Sequence, residues 1–268
     1  MIIIKQLNPS DHEGAKRWDE FVFACPEATF FHRAAWQGII RDVFRHPTYF
    51  LYAEIAGKIQ GVLPLAHVKS MLFGNALVAL PFAVYGGVAT TNSEAGSALE
   101  AEAQKLAQRM GVDHLEFRNV KPHNPEWPTQ DIYVTFRKEI LPEVEDNMQA
   151  IPRKQRAMVR KGIKNGLIST VDRNSDRFFK LFADNVHRHG TPAMPKRYFD
   201  TLLKVFGKDC EILTVTGPDG QLLSSVKSKA PEVPSLSSSC PGPDTMPSAA
   251  ATPLTASKAA SRSASSPA

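Results

Sequence analysis

Two β-hairpin signals, each preceded by helical sequence, constrain the fold of this chain more than any other feature. In the first, YFLYAEI (Tyr49–Ile55) and KIQGVLPLAHV (Lys58–Val68) are β-rich runs that meet at Ala56-Gly57, where glycine supplies the positive φ of a tight turn. In the second, CEILTVTG (Cys210–Gly217) and QLLSSVKS (Gln221–Ser228) are joined by Pro218-Asp219-Gly220, and Asp-Gly is a strong hairpin marker. A strand at Ile2–Gln6 and helices at His12–Val22 and Arg33–Val43 precede the first hairpin. A strand at Leu167–Val171 and helices at Ser175–Arg188 and Pro195–Phe206 precede the second. The recurrence predicts two copies of one α/β unit at low sequence similarity.

Between the copies lie an extended run, ALVALPFAVYGG (Ala76–Gly87), and a helix at Ser93–Met110 closed by Gly111. Two further strands are expected within VDHLEFRNV (Val112–Val120) and IYVTFRKEIL (Ile132–Leu141). The expected class is therefore α/β, a mixed sheet with flanking helices, divided as 1–142 and 143–228. Residues 229–268 are dominated by Ser, Pro and Ala and contain no aromatic, so they cannot bury enough apolar surface to fold. The composition changes abruptly inside a strand, which reads as out-of-frame sequence in place of the rest of the second unit; a solvated natural tail is the alternative. A unit cut short in this way would expose a sheet edge and apolar surface, and poor solubility and no activity are expected of it.

The chain has 268 residues, 43% of them hydrophobic and 22% charged, enough for a sizeable core. A net charge of +5 is modest for a nucleic-acid-binding protein, so a partner with localised negative charge fits better than long DNA. Cys25, Cys210 and Cys240 are odd in number and widely spaced, which argues against a disulfide framework or a zinc site and for a reducing compartment. The apolar run at Ile2–Ile4 is too short for a signal peptide, and no stretch of about 18 apolar residues offers a membrane span. A cytoplasmic location is expected. His187 and His189 are the only close histidine pair, and no zinc-binding, nucleophile-elbow, Walker or dinucleotide motif occurs. Neither a metal nor a bound cofactor is expected.

Functional chemistry concentrates at IPRKQRAMVRKGIKNG (Ile151–Gly166). Pro152 suits a helix start and Gly166 a left-handed end. At about 100° per residue, Arg153, Lys154, Arg156, Arg160, Lys161 and Lys164 share one broad face, while Met158, Val159 and Ile163 point the other way, towards a core. No Asp or Glu lies between Gln149 and Val171, whereas ordinary solvated helices mix signs at i,i+4 spacing. Such a stripe attracts phosphate through Coulomb steering and charge-assisted hydrogen bonds. Arg153, Lys154, Arg156, Arg160 and Lys161 are the candidate phosphate contacts. Tyr85, beside the glycines of Tyr85-Gly86-Gly87, and Trp36, which also reads as a core aromatic, are weaker cleft candidates.

The succession FFHRAAWQGII, YFLYAEIAGKIQGVLPL, LPFAVYGG, IPRKQRAMVRKGIKNGL and HRHGTPAMPKRYF resembles the FemAB-like acyltransferases, and within them the branch associated with the exosortase/PEP-CTERM system. The resemblance covers about Ile2 to Val226. It implies tandem GNAT-like domains that transfer an aminoacyl or acyl group to an amine of a cell-envelope or exopolysaccharide-related precursor. Better-known members use aminoacyl-tRNA and a lipid-linked peptidoglycan precursor; for this branch donor and acceptor stay open. Acyl-CoA is the alternative donor, although the Arg/Gln-x-x-Gly-x-Gly/Ala loop of CoA-dependent enzymes is not found. GNAT-type folds typically take their oxyanion donor from a splayed strand backbone, so no catalytic side chain is assigned. A non-enzymatic RNA- or tRNA-binding module is a third reading of the basic helix, and contact with a membrane surface is compatible with it.

Overall fold

The computed structural model describes residues 1–70, 74–120, 124, 126–130, 136 and 138–229. The chain divides into two compact units, Met1–Pro128 and Thr129–Ala268.

The first unit opens with β1 (Ile2–Gln6), α1 (His12–Ala24), a 3₁₀ turn at Phe30–His32 and α2 (Ala35–Phe44). The hairpin β2 (Thr48–Ile55) and β3 (Lys58–Ser70) follows, then β4 (Gly74–Ala79), β5 (Ala89–Thr90), α3 (Ser93–Met110) and β6 (His114–Glu116). The sheet runs β1-β2-β3-β4-β6, with β5 paired to β3. Neighbours are antiparallel except β4 and β6, which α3 connects as a parallel pair. Local chemistry sets the helix ends. Asp11 accepts from the Gly14 N–H at the start of α1, and Asn92 from the Ala95 N–H at the start of α3. Gly111, at φ 59°, closes α3 in the left-handed conformation that only glycine adopts cheaply.

Strand alternation covers both faces of this sheet. Leu51 and Ala53 of β2, Leu63 and Leu65 of β3 and Leu77 and Ala79 of β4 pack with Leu99, Ala103 and Ala107 of α3. On the other face Trp18 of α1 stacks on Phe50 at 5.4 Å and meets Tyr52 edge-on. Each fully buried leucine in such a core contributes about 1.5–3 kcal/mol. Glu54, near the end of β2, is held by Lys5 of β1 at 2.9 Å and Arg17 of α1 at 3.0 Å. These two hydrogen bonds keep its carboxyl below the usual range.

The second unit contains α4 (Val144–Gln149), α5 (Arg153–Lys164), β7 (Ile168–Asp172), α6 (Asp176–Arg188), α7 (Lys196–Phe206), β8 (Cys210–Thr216) and β9 (Leu222–Lys229). Its sheet is antiparallel in the order β7-β8-β9. From β7 onward the order β-α-α-β-β and its pairing repeat those of β1, α1, α2, β2 and β3. Each hairpin even shifts register close to its turn, at Ala53/Glu54 and at Val215/Thr216. Phe178, Phe199, Leu202, Phe206 and Ile212 form the core beneath α6 and α7. Asp172 plays the part of Glu54: it accepts from Arg177 of α6 and, at 2.7 Å, from the Thr214 hydroxyl of β8. Burial would raise its pKa, but these bonds hold the carboxyl low. The opposite sheet face carries Val171, Leu213, Val215 and Val226; Val171 is exposed and the other three are half-buried.

Two expectations change, and one helix appears that was not expected. ALVALPFAVYGG is a strand only as far as Ala79, because Leu80 and Phe82 take positive φ values of 48° and 67° and turn the chain. The strand within Val112–Val120 shortens to β6. α4 precedes the basic helix without a sequence signal, being only 6 residues long. Of the strand expected at Ile132–Leu141, only Phe136 and 138–141 are described, and they form none; the rest, like the tail from 230, lies outside the described residues. Among the described residues no helix is long and apolar enough to cross a membrane.

Candidate functional site

β4 and β6 are a parallel pair, and ligand crevices in α/β sheets form outside the carboxyl ends of such strands. Here that region is occupied by the segment from Leu80 to Val88. Left-handed φ at a leucine and a phenylalanine persists only where surroundings over-determine it. Phe82 is clamped in a stack, 3.9 Å from the Phe44 ring and 5.8 Å from His46, and the Leu80 N–H donates to the Pro64 carbonyl at 3.0 Å. Beyond Val78 and Glu116 the two strands are bridged by Gly86 and Arg118, which exchange backbone hydrogen bonds of 3.0 and 2.9 Å. Arg118 adds a side-chain bond to the Ala83 carbonyl at 2.9 Å and an ion pair with Glu116 at 2.7 Å. Both glycines are required. A Cβ on Gly86 would lie 2.6 Å from the Ala79 carbonyl oxygen, and one on Gly87, at φ 140°, 2.0 Å from Asn119 Oδ1.

Against this loop stands the turn Phe30–His32. Phe31 reaches the half-buried Tyr85 ring at 6.4 Å and the Trp36 ring at 5.7 Å. The structure thus gathers Tyr85 and Trp36 around one phenylalanine. Trp36 is 1% exposed and donates from Nε1 to the Phe30 carbonyl at 3.1 Å, so it buttresses the site from the core. His32 is 3% exposed. Its Nδ1 accepts from the Thr29 N–H at 3.0 Å, which leaves the proton on Nε2. Burial, opposed by the backbones of Gly87 and Thr29, lowers its pKa to about 4, and the ring is neutral at physiological pH. Among the described residues, His32 Nε2 and Asn119 Oδ1 are buried with no partner in strict hydrogen-bond geometry, the Gly87 backbone being the group beside His32. Sequence reasoning passed over His32, Arg118 and Asn119. The one available signal was Thr29-x-x-His32, a capping box with histidine in the place usually held by Glu or Gln.

The cationic candidates lie in the second unit, on α5. Its end is a Schellman motif: the Leu167 N–H donates to the Gly162 carbonyl at 3.2 Å, the Gly166 N–H to that of Ile163 at 3.0 Å, and Gly166 has φ 70°. Arg153, Lys154, Arg160, Lys161 and Lys164 are exposed, and among the described residues none forms an ion pair. Arg156 is different. Its guanidinium donates to the carbonyls of Gln149 at 2.9 Å and Ile151 at 3.0 Å, tying α5 to the end of α4. The expectation that Met158, Val159 and Ile163 face a core is corrected. Met158 is 65% and Ile163 59% exposed, Val159 is half-buried, and no residue of α5 is fully buried. Periodicity makes one side of the helix apolar, but too little of the second unit lies against that side to bury it. Among the described residues no group of three His, Cys, Asp or Glu is placed to hold a metal ion.

The fold has counterparts among solved structures. FemX matches with 17% identity and a TM-score of 0.51, over 80% of this chain and 57% of its own. The chain shares the FemX fold. It spans little more than half of FemX. A tandem GNAT protein from the clavulanic acid biosynthesis pathway is 14% identical, covers 86% of this chain and 75% of its own, and scores 0.40. A GNAT family acetyltransferase from Staphylococcus aureus subsp. aureus USA300_TCH1516 is also 14% identical, covers 52% of this chain and 98% of its own, and scores 0.36. No protein-family model matches the chain, and no curated protein sequence matches it.

Proposed function

We propose that this chain is a FemAB-like N-acyltransferase. It would move an aminoacyl or acyl group from aminoacyl-tRNA or acyl-CoA to an amine of a cell-envelope or exopolysaccharide-related precursor, in the cytoplasm and in the exosortase/PEP-CTERM context that the sequence motifs suggest. The observation that carries the reading is the strained loop Leu80–Gly87, rimmed by Tyr85, at the carboxyl ends of β4 and β6 in a fold shared with FemX. In the reaction the neutral amine attacks the acyl carbonyl. A C–N bond forms, the ester or thioester bond to the donor breaks, and the amine proton leaves with the donor's oxygen or sulfur. His32 is a poor base for that proton, since burial holds its pKa near 4 and its Nδ1 lone pair is already engaged. Arg153, Lys154, Arg160 and Lys161 are the proposed contacts for the phosphates of donor or acceptor. Arg156, whose Nε and Nη2 are engaged by backbone carbonyls, can offer such a phosphate only its remaining donors.

The test is acyl transfer itself. Purified protein is incubated with isotope-labelled aminoacyl-tRNA or acyl-CoA and a pyrophosphate-linked amine acceptor, and the acylated acceptor is sought by mass spectrometry. Label in the acceptor with one donor identifies that donor and overturns the expectation that a unit cut short is inactive; failure to bind either donor and the acceptor by calorimetry overturns the reading. Arg160→Glu with Lys161→Glu should weaken calorimetric binding of the acceptor at least about tenfold, each lost charge-assisted contact being worth about 1.5–3 kcal/mol. Steep salt-dependent binding of bulk tRNA without transfer would favour the RNA-binding module.

A further inference from the structure

We propose that α5 docks this protein on the surface of an anionic lipid bilayer. Three observations converge. Arg153, Lys154, Arg160, Lys161 and Lys164 project into solvent with no carboxylate partner among the described residues, and no acid occurs between Gln149 and Val171. Met158 and Ile163 are 65% and 59% exposed on the same helix, and Leu167 and Ile168, which follow it, are 37% and 53% exposed. No residue of α5 is fully buried, so the helix rides on the outside of its unit.

At about 100° per residue, Met158 and Ile163 flank the cationic face, one at each margin. Met158 is four residues from Lys154 and three from Lys161; Ile163 is three from Arg160. A helix with this pairing lies in the interfacial plane. Its methionine and isoleucine reach the acyl boundary, while the long Lys and Arg stems bend back to headgroup phosphates. Each cation held near an anionic surface strengthens partition about fivefold, so five make a substantial anchor. A polyanion such as RNA would use the cations but would leave Met158 and Ile163 in water, and the segment Ile151–Gly166 has no aromatic on which a base could stack. The chemistry that uses both features is a lipid surface bearing negative headgroups.

The proposal does not depend on acyl transfer, and its test contains neither donor nor acceptor. The full chain is sedimented with vesicles of pure phosphatidylcholine and with vesicles containing added phosphatidylglycerol. Binding to the second alone, weakening as salt rises, is expected. Arg160→Glu, Lys161→Glu and Lys164→Glu together should lower that binding by about a hundredfold or more. Met158→Ser with Ile163→Ser, at exposed positions, should weaken it several-fold and leave its salt dependence unchanged. Met158→Trp in the otherwise unaltered chain gives a second readout, a blue shift of the added indole emission on anionic vesicles, that does not require the charge-reversed variants to fold. Equal binding to neutral vesicles, indifference to charge reversal, or an unshifted emission from the Met158→Trp variant would overturn the proposal. Tight tRNA binding that displaces the vesicles and ignores the serine pair would overturn it in favour of a nucleic-acid face.

Discussion

His32 and Gly87 meet where the Phe30–His32 turn touches the Tyr85 loop, and each has a measurable signature. As pH falls, the unfolded chain binds a proton at His32 near 6.5, whereas the folded chain resists until about 4. The unfolded state therefore holds more protons between those values, and stability is full above 6.5 and drains as pH drops through the window. The loss from this residue is about 3 kcal/mol by linkage. His32→Asn keeps an acceptor for the Thr29 N–H but cannot titrate, so its stability should fall less between pH 7 and pH 4 in urea unfolding followed at several pH values. Gly87→Ala should cost about 2 kcal/mol or more, because φ is 140° and the new methyl meets Asn119 Oδ1. Adding Asn119→Ala removes the clash but not the backbone strain. The double variant should therefore be more stable than the sum of the two single changes, by chemical denaturation.

At the scale of elements, Arg156 differs from the other cations of α5 in being tied to backbone carbonyls. Arg156→Gln should lower stability by about 1 kcal/mol through its lost bonds to Gln149 and Ile151, and speed amide exchange from α4 into α5. Arg153→Gln, at an exposed cation with no ion pair among the described residues, should do neither. The elements themselves were largely legible. Period-2 runs gave both hairpins, and capping chemistry gave Ser93–Met110 and its Gly111 stop. Leu80 and Phe82 were not legible as turn residues. Nothing in a leucine or a phenylalanine announces positive φ, and here it is imposed by a stack with Phe44 and His46 that only the folded chain assembles. The apolar side of α5 was legible as apolar but not as uncovered, since periodicity reports what a face is made of and says nothing of what lies upon it. For the same reason Tyr85 could be picked from its glycine neighbours, while His32 and Asn119, isolated in sequence, could not.

At the scale of the whole molecule, two sheets of like connectivity are finished differently. The first is covered on both faces; the second leaves Val171, Leu213, Val215 and Val226 on its open side, between β7 and β9. An apolar strip beside a sheet edge that no strand pairs among the described residues invites association between copies. Val171→Lys, at a position 59% exposed, should reduce concentration-dependent light scattering and change the unfolding midpoint little. The loop from Leu80 to Gly87 has a different consequence. A segment locked by an aromatic stack, a carbonyl bond and a two-way bridge to Arg118 has few other shapes to visit. Under the proposed function it would give up little freedom on binding, and so would select by fit rather than by adapting.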